Sequence, residues 1–200
     1  MINLNLLKSA AKTDDKLKIH MDRPNFINEG SAFITAKVRE IDKTLQRTVV
    51  TLCIGTDRST GDCLGPLVGW LLQERLPLSN FVYGTIDRPV HATNMPDALK
   101  EIKQRYSDPL IIAIDACLGK MDSVGYVSFA QGSLKPGAAV NKNLPAIGDI
   151  AISGIVNVGG FMEYFVLQNT RLSFVMQMAE KIAQVLAEVY CSNLSLTKTK

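Results

Sequence analysis

The chain has 200 residues, of which 46% are apolar and 20% charged, and this composition is typical of a globular domain and excludes global disorder. Its net charge of +3 comes entirely from residues 1–50, with nine basic and six acidic side chains, so no nucleic-acid-binding footprint is present. Because no apolar run reaches the ~18–20 residues of a membrane span and no basic segment precedes the first leucines, we expect a cytoplasmic protein that contacts no membrane.

The elements can be predicted in chain order. Residues 1–30 are polar and irregular and predict an N-terminal arm, residues 31–192 predict one α/β domain, and residues 193–200 predict a flexible tail. Apolar spacing predicts helices over 31–46, 63–76, 96–106, 148–160 and from 169 or 170 to about 190. Strands are predicted over 48–54, 81–86, 109–115, 124–130 and 162–168.

The alternation of strands and helices predicts a three-layer α/β/α sandwich with a mainly parallel sheet. The unbroken apolar run at 110–114 predicts that this strand lies in the interior of the sheet, covered on both faces. In such folds, sites form beyond the carboxyl ends of the strands, where the strand order reverses. The residues after positions 54, 86, 115 and 168 are therefore the candidates for chemistry.

Two aspartates follow neighbouring strands of that predicted sheet. Asp62 lies in the loop GTDRSTGDCLGP, which is neither a dinucleotide-binding nor a P-loop motif, and Asp115 ends the buried run IIAID. A buried carboxylate is costly unless it is used or paired. Two close carboxylates share a proton and can activate water and protonate a leaving group. The alternatives are that Asp62 caps the following helix and that Asp115 binds loop amides.

Further candidates surround this pair. Gly55 and Asp57 belong to the same loop as Asp62, and His91 and Asn94 follow the second strand. Asn141 and Lys142, after a Gly-Pro loop, supply an amide and a positive charge suited to a developing oxyanion. Each is equally compatible with an ordinary loop residue.

Cys63 in the same loop suggests a third possible function, in which a thiol is the nucleophile. G-D-C-L-G formally matches a nucleophile elbow, but about seven loop residues separate it from the strand, and no His follows Asp115. The four cysteines form no C-x-x-C pair, so reduced thiols are expected. Cys63 and Cys117 are more simply small apolar residues, and a Cys63 thiol hydrolase stays an alternative.

The joint spacing of these motifs resembles the hydrogenase maturation protease and germination (spore) protease superfamily. Asp62 stands seven residues after Gly55, and Asp115-Ala116 ends the buried strand, as in the hydrogenase proteases. The segments Asp62–Pro66 and Pro136–Val140 are similar to D-A-L-G-P and P-G-x-G-V of the spore protease. Overall the chain looks most like the YyaC-like group of sporulation proteins.

The resemblance implies a phosphorylase/hydrolase-like fold and an aspartate-based endopeptidase that acts on a protein or peptide substrate in the cytoplasm or forespore. In the hydrogenase proteases a His about thirty residues after the second acid completes a metal site, and here that position holds Ala146. We therefore expect no metal and no cofactor. The alternative is an inactive binding or assembly protein on the same fold, and a homo-oligomer is compatible with either.

Overall fold

The structure is a computed structural model that describes residues 15–76, 80–136 and 146–192. Its strands are β1 (Lys16–His20), β2 (Val49–Cys53), β3 (Val82–Tyr83), β4 (Leu110–Gly119), β5 (Tyr126–Gln131) and β6 (Ile150–Val158). Its helices are α1 (Phe26–Ile41), α2 (Leu64–Arg75), α3 (Met95–Arg105), α4 (Glu163–Gln168) and α5 (Leu172–Ser192).

The strands form one mixed sheet in the order β1-β5-β6-β4-β2-β3. The four strands from β6 to β3 run parallel, and β5 and β1 add an antiparallel edge. β4 lies between β6 and β2, which confirms the predicted interior position of the run at 110–114. All five residues of β2 and the first seven of β4 are buried.

Helices cover the sheet, and the predicted three-layer α/β fold is confirmed. α5 packs against α1 and α2 on one face, where the buried hydroxyls of Tyr190 and Thr51 lie 2.7 Å apart. The connection from β2 to β3 contains α2, and the connection from β3 back to β4 contains α3. Both connections are right-handed but run in opposite directions across the sheet, so α3 lies on the face opposite to α2. We call the face under α1, α2 and α5 the helical face, and the other the open face.

Two predicted elements are wrong in type. The segment 148–160, predicted as a helix, contains strand β6. The segment 162–168, predicted as a strand, is helix α4 apart from its first residue. β6 lies between β4 and β5 and is apolar apart from Ser153 and Asn157, so it lacks the regular alternation that identifies a half-buried strand.

The N-terminal region also differs from the prediction. The described part of the predicted arm, residues 15–30, contains β1 and the first turns of α1, which begins at Phe26. β1 pairs antiparallel with β5 along its whole length. Asp15, just before β1, accepts a hydrogen bond of 3.1 Å from the buried Lys37 of α1, which joins strand and helix. The remaining residues of the arm and the predicted tail lie outside the described residues.

Candidate functional site

The candidate site lies where the parallel strands end. Ile54 directly follows β2, and its amide donates to the carbonyl oxygen of Ile114 on β4 at 2.8 Å. Ile54 also forms a parallel bridge with Val90, and the Gly55 amide donates to the Val90 carbonyl oxygen at 2.8 Å. The chain therefore brings the segments that follow β2 and β3 together beside Ile114, which lies within β4.

Gly55 lets the Asp62 backbone approach this edge. Its φ is +148°, and a Cβ there would lie 2.0 Å from the Asp62 carbonyl oxygen. The same oxygen accepts a hydrogen bond of 3.2 Å from the Thr56 amide. The loop thus folds back so that Asp62, one residue before Cys63 at the N-cap of α2, lies over the end of β2.

Asp115 is the sixth of the ten residues of β4, the strand beside β2, so β4 continues four residues beyond position 115, where the sequence predicted its end. Only 7% of the residue is exposed, and its Oδ1 accepts a hydrogen bond of 2.9 Å from the Ala116 amide. Its register partner on β6 is Ser153, so both side chains lie on the open face. Asp62 is half-buried. The structure therefore holds both aspartates at one edge of the sheet, on adjacent segments.

The segment after β3 is organised by Asn94. Its Oδ1 accepts a hydrogen bond of 2.8 Å from the His91 amide, and its Nδ2 donates to the Pro89 carbonyl oxygen at 2.9 Å. Asn94 thus shapes the turn before α3. The half-buried His91 follows Val90, which bridges to Ile54, so it does belong to the candidate edge.

The remaining predicted site residues are Asp57, Asn141 and Lys142. Asp57 is exposed, and its Oδ1 lies 3.5 Å from the hydroxyl of its neighbour Thr56. Asn141 and Lys142, and most of the Pro136–Val140 segment, lie outside the described residues.

Three polar residues of this edge are missed by the sequence motifs. Ser59 is 7% exposed, and its hydroxyl has no hydrogen-bond partner within the described part of the chain. Near the end of β6, Asn157 donates from Nδ2 to the hydroxyl of the buried Thr170 at 3.2 Å. A buried hydroxyl without a partner is costly, so Ser59 is an unsatisfied polar position in this loop.

The thiols at this edge are poor nucleophiles. Burial, followed by the negative charges of Asp57 and Asp62, raises the pKa of Cys63 to about 11. Burial and the charge of Asp115 raise the pKa of Cys117 to about 11. Because the thiolate is the nucleophilic form, these environments disfavour a Cys63 thiol hydrolase.

The donor set does not fit a metal site of the hydrogenase protease type. Over 15–76, 80–136 and 146–192, no three His, Cys, Asp or Glu side chains are grouped so that they can hold an ion. At the position where those proteases carry their metal-binding His, this chain has the exposed methyl group of Ala146. In the same described ranges, no helix has the length and apolar character required to span a bilayer.

Comparison with known proteins decides the family. The family model described as "Protein of unknown function (DUF1256)" matches residues 18–185. The chain belongs to the DUF1256 family. One relative of this DUF1256 chain, "Uncharacterized protein YyaC" of Bacillus subtilis (strain 168), is 56% identical over 146 residues, which are 72% of this chain and 71% of the relative. The predicted relation to the YyaC-like proteins is therefore confirmed.

A solved structure supports the fold of the DUF1256 chain. The crystal structure of the NiFe hydrogenase maturation protease HycI from Thermococcus kodakarensis KOD1 matches with a TM-score of 0.51 at 19% sequence identity. The match covers 76% of this chain and 97% of that one. The DUF1256 chain thus has the α/β fold of a hydrogenase maturation protease, as its motifs predict.

Proposed function

We propose that this protein is a metal-independent endopeptidase in which Asp62 and Asp115 act as one unit on a protein substrate. The observation that carries the proposal is Asp115, a carboxylate 7% exposed on the interior strand β4, one residue beyond the last β4 residue that pairs with β2. Burial of a carboxylate is unfavourable, and the hydrogen bond from the Ala116 amide holds this one in place on the strand. The position beyond neighbouring parallel strands is the one where α/β folds hold their ligands.

The chemistry follows from sharing one proton between two carboxylates. The ionised member accepts a proton from water as the water oxygen attacks the peptide carbonyl carbon, and the protonated member donates to the carbonyl oxygen. Collapse of the tetrahedral intermediate returns a proton to the leaving amine and breaks the C–N bond.

The substrate setting is inferred from sequence motifs. The segment Asp62–Pro66 differs from the spore protease pattern D-A-L-G-P at one position, where Cys63 replaces alanine. We therefore place the activity in the cytoplasm or forespore of a sporulating cell.

Detection of new peptide termini tests this proposal. Purified protein is incubated with an extract of sporulating cells, and termini are identified by mass spectrometry. Wild type should generate defined new termini, and Asp62→Asn and Asp115→Asn should each abolish them. Asp87→Asn, at an exposed position two residues before Pro89, is the matched control and should cut like wild type. Unchanged cutting by both site variants would rule out the aspartate mechanism.

The second candidate is a binding or assembly protein without catalysis, and one observation favours it. Large apolar side chains on and around α4 and the start of α5 are exposed to solvent, and they are Phe161, Met162, Tyr164, Phe165, Leu172 and Met176. Contiguous exposed apolar surface is typical of interaction sites. In this case sporulation defects should follow Phe161→Ser with Phe165→Ser, while both aspartate variants behave as wild type.

A further inference from the structure

The exposed apolar side chains on and around α4 form one surface, which we call the α4 surface. Its members are Phe161, Met162, Tyr164, Phe165, Leu172 and Met176. The rings of Tyr164 and Phe165 lie edge to face, with 6.0 Å between their centres. Three residues separate α4 from α5, and Leu172 and Met176 are one turn apart on the same side of α5. The surface therefore extends from the residues after β6 to the second turn of α5.

The backbone before α4 holds two of these side chains in solvent. Phe161 is 91% exposed, and Met162 has a φ of +57°. This left-handed conformation costs an L-residue about 1–2 kcal/mol. A strained residue that presents an apolar side chain to water is unfavourable on both counts, so we expect a partner that buries it.

The area of the α4 surface matches one half of a protein interface. Phe161 is 91% exposed, and the other five side chains are 44–57% exposed. The three aromatic side chains alone leave about 400 Å² in water, and the methionines and the leucine bring the surface to roughly 600 Å². Two such surfaces bury about 1,200 Å² before a polar rim is counted, which is the lower limit for stable protein interfaces.

The charges of this segment favour a second copy of the chain over a charged partner. Between residues 161 and 177, only Glu163 and Arg171 are charged. Within 15–76, 80–136 and 146–192, neither forms an ion pair. The two residues flank α4, so antiparallel packing of two copies places Glu163 of each copy beside Arg171 of the other. The segment has no net charge and gives an acidic or basic partner no overall electrostatic attraction.

We infer that this protein forms a two-fold symmetric dimer through the α4 surface, with the apolar side chains at the centre and the Glu163–Arg171 pairs at the rim. Aromatic residues and methionine at the centre with polar residues around them are typical of protein interfaces. Pairing through this surface does not depend on the proposed peptidase activity.

The other side of α4 adjoins the candidate site. The Gly61 amide donates to the carbonyl oxygen of the buried Leu167 at 2.8 Å. A Cβ on Gly61 would lie 2.9 Å from Leu167 Cδ2, so helix and loop are in close contact. A dimer that buries the exposed side of α4 therefore holds this helix against the loop that carries Asp62. The Gly61 amide should exchange with solvent more slowly in the dimer than in the monomer.

Sedimentation equilibrium of the full chain tests the dimer. A reducing buffer excludes disulfide dimers through the exposed Cys191. At about 50 µM the measured mass should approach twice the 21.9 kDa of one chain. Phe161→Ser changes a side chain outside α4 and should weaken dimerisation at least tenfold, as expected of a central aromatic residue.

Reversal of the two rim charges tests the two-fold arrangement. Glu163→Arg and Arg171→Glu each place like charges in contact twice, so each should weaken dimerisation about tenfold. The two changes together restore opposite charges and should return the dissociation constant to within about threefold of wild type. Glu101→Arg is the matched control, since it makes the same change at an exposed position of α3, and it should dimerise like wild type. Circular dichroism of each variant shows that the fold is kept.

The outcomes separate a second copy from other partners. A single species of 21.9 kDa at about 50 µM would overturn the inference and leave the α4 surface to a different protein. A dimer that Phe161→Ser does not weaken, or charge reversals that the combined variant does not rescue, would contradict this interface. Equal hydrogen exchange of the Gly61 amide in wild type and Phe161→Ser would contradict the link between pairing and the Asp62 loop.

Discussion

Gly55 and Gly160 have nearly the same backbone dihedral, with φ values of +148° and +147°, but different surroundings. A Cβ on Gly55 would meet the Asp62 carbonyl oxygen at 2.0 Å, whereas one on Gly160 meets nothing within 4 Å. Gly160→Ala should therefore cost about 1 kcal/mol from conformation alone. Gly55→Ala should cost about 1–3 kcal/mol more, because the loop must move. Urea denaturation measures both, and equal losses would contradict the enclosed loop.

Asp42 predicts a pH dependence of stability. Burial alone would raise its pKa, but hydrogen bonds from Arg47 and Thr44 outweigh burial and lower it. A lowered folded-state pKa contributes stability above the unfolded value of about 3.9, and this is lost as the pH falls through the folded-state pKa. Asp42→Asn should cost about 2 kcal/mol at pH 7 and much less at about pH 2.

The exposed Asp108 is a matched control for Asp42. It forms a surface ion pair of 3.2 Å with Arg47, so Asp108→Asn should change stability by less than about 1 kcal/mol. A loss at Asp42 that stays constant from neutral to acid pH would contradict the hydrogen-bonded carboxylate.

The environment of Cys63 predicts slow alkylation. With a pKa of about 11 and 7% exposure, it should resist iodoacetamide near neutral pH, whereas the exposed Cys191 reacts. Peptide mass mapping should find label on Cys191, and Cys191→Ser should remove it. Rapid labelling of Cys63 with loss of cutting would revive the thiol hydrolase.

At the residue scale, the sequence predicts which residues lie close together along the chain. It does not predict which residues pair across neighbouring strands. The edge position of Asp62 and Asp115 follows from the rule that sites lie beyond parallel strands. Asn94 could not be recognised as a turn-forming residue, because its partners are backbone groups.

At the scale of elements, the hydroxyl pair of Thr51 and Tyr190 ties α5 to β2. The two oxygens lie 2.7 Å apart in a buried environment. Tyr190→Phe or Thr51→Val alone leaves a buried hydroxyl without this partner and should cost about 1–3 kcal/mol. The double variant removes both hydroxyls, so its loss should be smaller than the sum of the two. Denaturant midpoints measure this cycle, and strictly additive losses would contradict the coupling.

The two elements whose type was predicted wrongly are β6 and α4. β6 is apolar apart from Ser153 and Asn157, so spacing alone cannot distinguish a strand from a buried helix there. Helix α4 has aromatic and β-branched residues that favour strands, yet it is a six-residue helix in which Tyr164 and Phe165 are exposed and Leu167 is buried. β1 did carry a signal, because Lys16, Lys18 and His20 alternate with buried or half-buried apolar residues.

At the scale of the molecule, the fold class was accessible because the order of strands and helices restricts an α/β sheet to few topologies. β2 and β4 are neighbours, as a parallel sheet with reversed strand order requires. The antiparallel edge of β5 and β1 was not predictable, since β1 has only five residues and pairs with a strand about 110 positions away.

The most direct test of the account is a double-mutant cycle on Asp62 and Asp115, read as the rate of substrate cutting. Asn at either position keeps the size of the side chain and removes its charge. If the two carboxylates share one proton, Asp62→Asn and Asp115→Asn should each lose nearly as much activity as the double variant, with the fold retained. Losses that multiply in the double variant, or full activity in both single variants, would contradict the aspartate pair.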